Sequence, residues 1–236
     1  MTAFLFDVDN TLTPPRQKMD QSFLAFFLGW MKDRSVYLVS GSDEKKIFQQ
    51  MPSSIINRCS GIFSSMGNKL SIDKELIYEN LWRPNLELLQ YLSEQRNNSQ
   101  YANKKSDWWE ARVGMMNYSI AGRSSNLTER NLYEEFDAEN GERKKIASEI
   151  EKKFPSLEAK VGGQISIDIQ PKGNNKALSS KWIRKNKTKN IVFFGDKCFE
   201  GGNDYDVSVD VLKNKGKVFE VGDWRNTFAI LKNGDL

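Results

Sequence analysis

Two carboxylates one residue apart, Asp7 and Asp9, stand directly after an apolar run, Ala3 to Phe6. The run reads as a short buried strand. Side chains two apart on an extended backbone share a face, so both acids are expected to leave the strand's carboxyl end together. Ligands of open α/β sheets collect at that end. Paired carboxylates repel unless something offsets them, and Mg²⁺ with a phosphorylated substrate is one common solution. An aspartate-rich turn would explain a bare Asp-x-Asp. The longer string Asp7-x-Asp9-x-Thr11-Leu12-Thr13 argues instead for chemistry.

Further groups suit the same chemistry. The apolar run Ile191 to Phe194 closes on Gly195-Asp196, a second acid-tipped strand, and Asn203 and Asp204 follow on a glycine-bearing loop. Asp196 is expected to ligate Mg²⁺, with Asn203 and Asp204 completing or supporting the shell. Lys176 falls in the first turn of an expected helix, where free N–H groups and the dipole also favour an anion. Ser40 or Ser42, after the strand Val36 to Val39, could donate to a phosphoryl oxygen, or be no more than turn serines. Arg112, Arg123 and Arg130, spaced eleven and seven apart, offer the forked donors that grip phosphate. Singly, each reads more readily as a solvated surface charge than as a ligand to phosphate. Histidine is absent, which excludes Ser-His-Asp hydrolysis, histidine zinc sites and imidazole acid–base chemistry.

These groups need a scaffold. At 236 residues with 39% hydrophobic and 28% charged residues, the chain reads as an ordinary globular protein with enough length for a real core. A net charge of +4 is too mild to imply nucleic acid and suits an anionic small substrate. No apolar run approaches the roughly 20 residues of a membrane span, and the amino terminus lacks a signal peptide's layout. Cys59 and Cys198 alone form no disulfide framework, so a cytoplasmic setting is expected. Asn117-Tyr-Ser119 and Asn126-Leu-Thr128 match the glycosylation pattern and read as chance without a secretory route.

Strand and helix alternate over roughly the first 79 residues: Phe23, Phe26, Phe27, Trp30 and Met31 recur at helical spacing behind a capping Asp20, and Ile62 to Ile77 suggest a small hairpin. From Asn80 the pattern changes. Leu86, Leu89 and Leu92 mark a helix face, Ser93 to Lys105 looks like a flexible connection, and Trp108 to Ile120 reads as strand. Thr128 to Asp137 and Glu142 to Phe154 read as helices. Ile165, Ile167 and Ile169 alternate with Ser166 and Asp168, as in a strand with one polar face. The doubly wound pattern resumes near Asn174. The expected fold class is therefore α/β, a doubly wound, mainly parallel sheet core (1–79 and 174–236) with an inserted α+β cap (80–173).

The first motif resembles that of the haloacid dehalogenase-like phosphotransferases. Pro15-Arg16-Gln17-Lys18, Arg112-Val-Gly-Met-Met-Asn-Tyr-Ser119 with Gly122-Arg123, Gly162-Gly-Gln-Ile-Ser-Ile-Asp168, Phe193-Phe-Gly-Asp-Lys197 and Gly201-Gly-Asn-Asp204 are similar, in order, to eukaryotic-type phosphomannomutases. The resemblance implies a nucleophile at Asp7, proton transfer by Asp9, and a phosphate-neutralising lysine at Lys176. A carboxylate ionised on Mg²⁺ suits attack, and a neighbour off the metal can keep a raised pKa. The resemblance also implies metal-associated acids at Asp7, Asp9, Asp196, Asp204 and Asp210. Among the serines it favours Ser42. Arg112, Arg123 and Arg130 would hold the non-reacting phosphate, Ser166 and Asp168 the sugar hydroxyls, and Arg16 would reach the substrate from the core side. Interconversion of mannose 6-phosphate and mannose 1-phosphate is implied, with a hexose 1,6-bisphosphate activator and a homodimer formed through the cap. Glucose phosphates are a second candidate substrate class. The rivals are a Mg²⁺-dependent sugar-phosphate phosphatase and a non-catalytic sugar-phosphate binder. A phosphatase needs one phosphate site and must admit water, so the cap arginines favour the mutase.

The chain departs from the family pattern in places. Asn10 replaces the glycine usual after the second aspartate, and asparagine tolerates left-handed backbone better than most residues. No proline precedes Ile120-Ala-Gly-Arg123, and Pro171-Lys-Gly-Asn-Asn-Lys176 lacks the usual acidic and aromatic residues. Lys213 stands where a hydroxyl residue is common near Asp210, so its ammonium is a candidate substitute for a cation there.

Overall fold

The structure, a computed structural model, describes residues 1–234. In chain order the elements are β1 (Ala3–Asp7), α1 (Gln21–Trp30), β2 (Ser35–Val39), α2 (Glu44–Gln50), α3 (Ser53–Ile56), β3 (Gly61–Ser64), β4 (Lys69–Ile72) and β5 (Glu75–Glu79). Then come α4 (Leu86–Asn98), β6 (Trp109–Arg112), β7 (Met115–Tyr118), α5 (Leu127–Asn140), α6 (Glu142–Lys153), β8 (Leu157–Gly162) and β9 (Ser166–Pro171). The chain closes with α7 (Ala177–Asn186), β10 (Ile191–Gly195), α8 (Tyr205–Lys213), β11 (Lys217–Glu220) and α9 (Trp224–Asn233). Two compact units result: one joins Met1–Glu79 to the chain from Gly173 onward, and the other is Asn80–Lys172.

The first unit is an α/β layer structure around a seven-stranded sheet of order β11-β10-β1-β2-β3-β4-β5. The five strands from β11 to β3 run parallel, and β4 and β5 fold back antiparallel. β1 is buried on both faces, which explains its unbroken apolar run. Phe4 and Phe6 point to one layer, packing with Phe23, Phe27 and Trp30 of α1, while Ala3 and Leu5 point to the other, with Ala177 and Ile183 of α7 and Val207 and Val211 of α8. Phe6 stacks on Phe194 at 4.8 Å, and Phe194 on Phe219 at 4.7 Å. Each buried phenylalanine contributes about 1.5–3 kcal/mol, so this aromatic ladder locks β1, β10 and β11 in register. Asp20 caps α1 by accepting from the Ser22 and Phe23 N–H groups.

The second unit carries an antiparallel sheet of order β6-β7-β9-β8, with α4, α5 and α6 supplying its core. Three expectations change here. The helix face of α4 is Leu88, Tyr91 and Leu92, whereas Leu86 is exposed. Ser93 to Asn98 extend α4, as suits its Glu, Gln and Arg content. The chain beyond it is fixed by buried Tyr101 and by Lys104 donating to the Arg96 and Ser99 carbonyls. Trp108 to Ile120 is a hairpin, because Gly114 at φ 69° turns the chain between β6 and β7. Both sequon asparagines have structural duties: Asn117 donates to Asp168, and Asn126 caps α5 in a capping box.

The two thiols give a direct check on the core. Burial pushes both the Cys59 and the Cys198 thiol up to about 12, with Asp204 and Glu220 adding to the effect at Cys198. Thiolate is the reactive form. Near pH 8 the native protein is therefore expected to react slowly with a disulfide reagent, releasing both thiols only on denaturation. Rapid native labelling would contradict the packing described.

Candidate active site

β1 and β10 run side by side with Phe6 opposite Phe194, so the acids at their carboxyl tips emerge as neighbours. Asp7, the last residue of β1, shares the parity of Ala3 and Leu5 and so faces the α7 layer. Lys176, immediately before α7, is fully buried there. Its Nζ donates to Asp7 Oδ1 at 2.5 Å and to Asp204 Oδ1 at 2.7 Å. Asp204 in turn accepts from the Lys197 N–H at 3.2 Å. Gly195 makes room for it, since a Cβ at that position would meet Asp204 Oδ2 at 2.7 Å. Any side chain at 195 would displace the acid.

Carboxylate oxygens of Asp7, Asp196 and Asp204, one from each, lie within 4.8 Å of one another. Burial raises Asp7 to about 7; Lys176 pulls it down, while Asp204 and Asp196 push it up. Burial also raises Asp196. Burial works against the charge of Lys176, but Asp7 and Asp204 overcome it and hold its pKa above the usual lysine range. With all three carboxylates ionised, the single ammonium would leave two negative charges in excess, and until a cation offsets it that repulsion is part of what raises Asp7 and Asp196. All-oxygen donors with that excess suit a hard divalent cation such as Mg²⁺. The donor set therefore fits the metal the sequence implied.

Asp9 and Asp210, the other two acids expected near the metal, are not members of this carboxylate cluster. β1 ends at Asp7, so the period of two does not fix where Asp9 points. Asp9 Oδ1 accepts from the Arg16 N–H at 2.9 Å and from Gln50 Nε2 at 2.8 Å. Gln50, buried on α2, was invisible to the sequence reading, since a lone amide carries no chemical signature. Asp210 sits on α8, accepting from Ser180 at 2.5 Å and paired with the Arg184 guanidinium. The Arg184 guanidinium of α7 thus supplies a cation at Asp210.

The serines lie where β2 ends. Ser40 is buried and its Oγ accepts from the Ser42 N–H at 3.0 Å, while the Ser42 and Ser40 carbonyls accept from Ser65 and Met66. The Ser40 hydroxyl works inside the turn, which favours Ser42 as the outward donor. Arg16 is exposed at φ 57°.

In the second unit, register dictates one polar sheet face. Glu110 pairs across from Asn117, and Asn117 from Asp168, which pairs with Lys160. Arg112 and Ser166, two residues along, share that face. Ile167, Ile169, Met116 and Tyr118 fill the other. Glu110 Oε2 accepts from Arg112 Nη2 at 3.0 Å and Arg123 Nη2 at 3.3 Å, and Arg123 Nη1 donates to Ser166 Oγ at 2.9 Å. Arg123 Nε and Asn117 Oδ1 are buried without a hydrogen-bond partner among the described residues, polar atoms of the kind a ligand satisfies. Burial, and then the Arg112 charge, lower the Arg123 pKa, a cost an anion would offset. Arg130 is differently employed: it donates to the Ser125 and Arg123 carbonyls at 2.8 and 3.2 Å, bracing the loop that carries Arg123. Glu110 was missed by the sequence reading, although its place two residues before Arg112 was a usable signal.

Residues 24–233 match the family profile of eukaryotic phosphomannomutase. The chain belongs to that family. The phosphomannomutase of Drosophila melanogaster is 36% identical over 221 residues, covering 87% of this chain and 85% of that one. The phosphomannomutase of Saccharomyces cerevisiae is 33% identical over 221 residues, covering 89% and 85%. As a phosphomannomutase family member the chain is an enzyme, a phosphotransferase of the isomerase class. Among solved structures, the C. albicans trehalose-6-phosphate phosphatase C-terminal domain is similar with a TM-score of 0.63 at 16% identity, covering 98% of this chain and 91% of that one. A trehalose-6-phosphate phosphatase related protein gives 0.59 at 17% identity, covering 99% and 96%. At such identities the likeness is one of fold, a shared α/β architecture.

Proposed function

We propose that this phosphomannomutase family member interconverts mannose 6-phosphate and mannose 1-phosphate by passing a phosphoryl group through Asp7 and a hexose 1,6-bisphosphate. One observation carries the reading: the chain holds two anion-ready constellations, the buried Asp7–Lys176–Asp204–Asp196 group and the Arg112–Arg123 pair with its orphaned Nε. A mutase needs two phosphate sites. A phosphatase needs one.

Asp7 attacks phosphorus, the bond to the sugar oxygen breaks, and Asp9 gives that oxygen its proton. In the other half-reaction the free hydroxyl of a mannose monophosphate gives its proton to Asp9 and takes the phosphoryl from Asp7, forming the 1,6-bisphosphate whose other phosphate Asp7 then attacks. Gln50 and the Arg16 N–H hold the Asp9 carboxylate for this, and Lys176 offsets the charge at Asp7. Ser42 donates to a phosphoryl oxygen. Asp7 and Asp196 would hold Mg²⁺, with Asp204 behind them; when bound, the cation neutralises phosphoryl oxygens. Arg112 and Arg123 hold the non-reacting phosphate, exchanging Glu110 for it, with Arg130 as brace. Arg16, Ser166 and Asp168 contact the sugar phosphate. A homodimer through the inserted unit belongs to the same reading. A cytoplasmic setting is supported by the free cysteines, and no helix among the described residues is long and apolar enough to cross a membrane.

Mannose 1-phosphate supplied with Mg²⁺ and a hexose bisphosphate is expected to yield mannose 6-phosphate. Excess chelator should abolish this, and added Mg²⁺ should restore it. Full activity in chelator would refute the metal assignment, and no mannose 6-phosphate under any condition would refute the function.

A further inference from the structure

Asn10 and Asp196 are 186 residues apart, yet Asn10 Nδ2 donates to Asp196 Oδ2 at 2.8 Å. Asn10 stands at φ 60°, a conformation that glycine adopts without steric cost and asparagine tolerates. Backbone geometry alone therefore does not call for this side chain. A carboxylate can only accept, so the amide nitrogen must be the atom facing it. The bond joins the turn after β1 to the residue that follows β10, the two chain segments whose acids converge.

We propose that Asn10 is a positioning residue for Asp196. It occupies one oxygen of that carboxylate and fixes its plane, so that Asp196 is preset to share a divalent cation with Asp7. Without the bond, Asp196, which is only half-buried, would be free to swing towards water and away from the like charges of Asp7 and Asp204. Ligating carboxylates are characteristically held by such outer hydrogen bonds, and losing one typically costs about 10–100-fold in metal affinity. The inference rests on the reading that Asp7 and Asp196 hold the metal.

The test uses Mn²⁺ as probe, with free ion counted by electron paramagnetic resonance on the full chain. The variants are Asn10→Gly, which keeps the left-handed backbone, and Asp196→Ala as reference. The wild type is expected to bind Mn²⁺ at a site lost in Asp196→Ala. Asn10→Gly should raise its Kd about tenfold or more with little change in the metal-free melting temperature. A lowered melting temperature with wild-type Mn²⁺ affinity would make the bond merely structural and overturn the proposal, as would no change in either. A wild type with no Mn²⁺ binding sensitive to Asp196→Ala would instead bring down the underlying metal reading, a failure distinguishable from the first.

Discussion

Asp7→Asn is expected to lose turnover of mannose 1-phosphate by on the order of 10⁴-fold or more, the scale seen when a nucleophile is removed from a catalytic unit. The neighbours of Asp7 are otherwise engaged: Asp9 accepts from Gln50 and the Arg16 N–H, Asp204 from Lys176 and the Lys197 N–H, and Asp196 from Asn10. The variant should still fold. Lys176 keeps Asp204 as its partner, and removing one of three clustered negative charges relieves repulsion. A melting curve close to wild type beside a dead enzyme is the expected pair of results. Near-normal turnover would refute the nucleophile.

Arg123→Ala should change the products as well as the rate. Its guanidinium reaches both Glu110 and Ser166 and retains an unpartnered buried Nε. A charge-assisted contact to phosphate is worth about 1.5–3 kcal/mol, so mannose 6-phosphate formation should fall about ten- to hundredfold. A bisphosphate held less firmly escapes more often and leaves the phosphorylated Asp7 to water. Inorganic phosphate release should therefore fall less than mutase turnover, or rise. Equal losses in both products would remove the retention role and leave Arg123 a general binding group. Arg130→Ala should act in the same direction through the loop it braces, with a smaller effect.

What could be read from the sequence follows from which contacts are local. Asp7 and Asp196 end apolar strands, and Lys176 opens a helix; strand and helix periodicity reveal such positions without any knowledge of partners. The polar face of β9 was legible for the same reason, through the alternation of Ile165, Ile167 and Ile169. The partners of Asp9 were not legible because the strand's period of two ends at Asp7 and says nothing of the turn beyond it. The ion pair of Asp210 was not legible because Arg184 lies on a neighbouring helix and nothing local announces it. The Ser93–Asn98 turns of α4 were taken for a connection because polarity outweighed helix propensity. Asn10 was legible as a left-handed residue, but its bond to Asp196 spans nearly the whole chain and exists only once β1 and β10 are aligned.

The central claim is that phosphoryl transfer at Asp7 ends in a sugar phosphate and not in water. It is tested most directly by incubating the wild type with mannose 1-phosphate and Mg²⁺, with and without a hexose 1,6-bisphosphate, and quantifying mannose 6-phosphate and inorganic phosphate together. The expected result is mannose 6-phosphate as the main product, formed faster when bisphosphate is present. Inorganic phosphate as the main product, at a rate indifferent to bisphosphate, would contradict the account and make the enzyme a phosphatase.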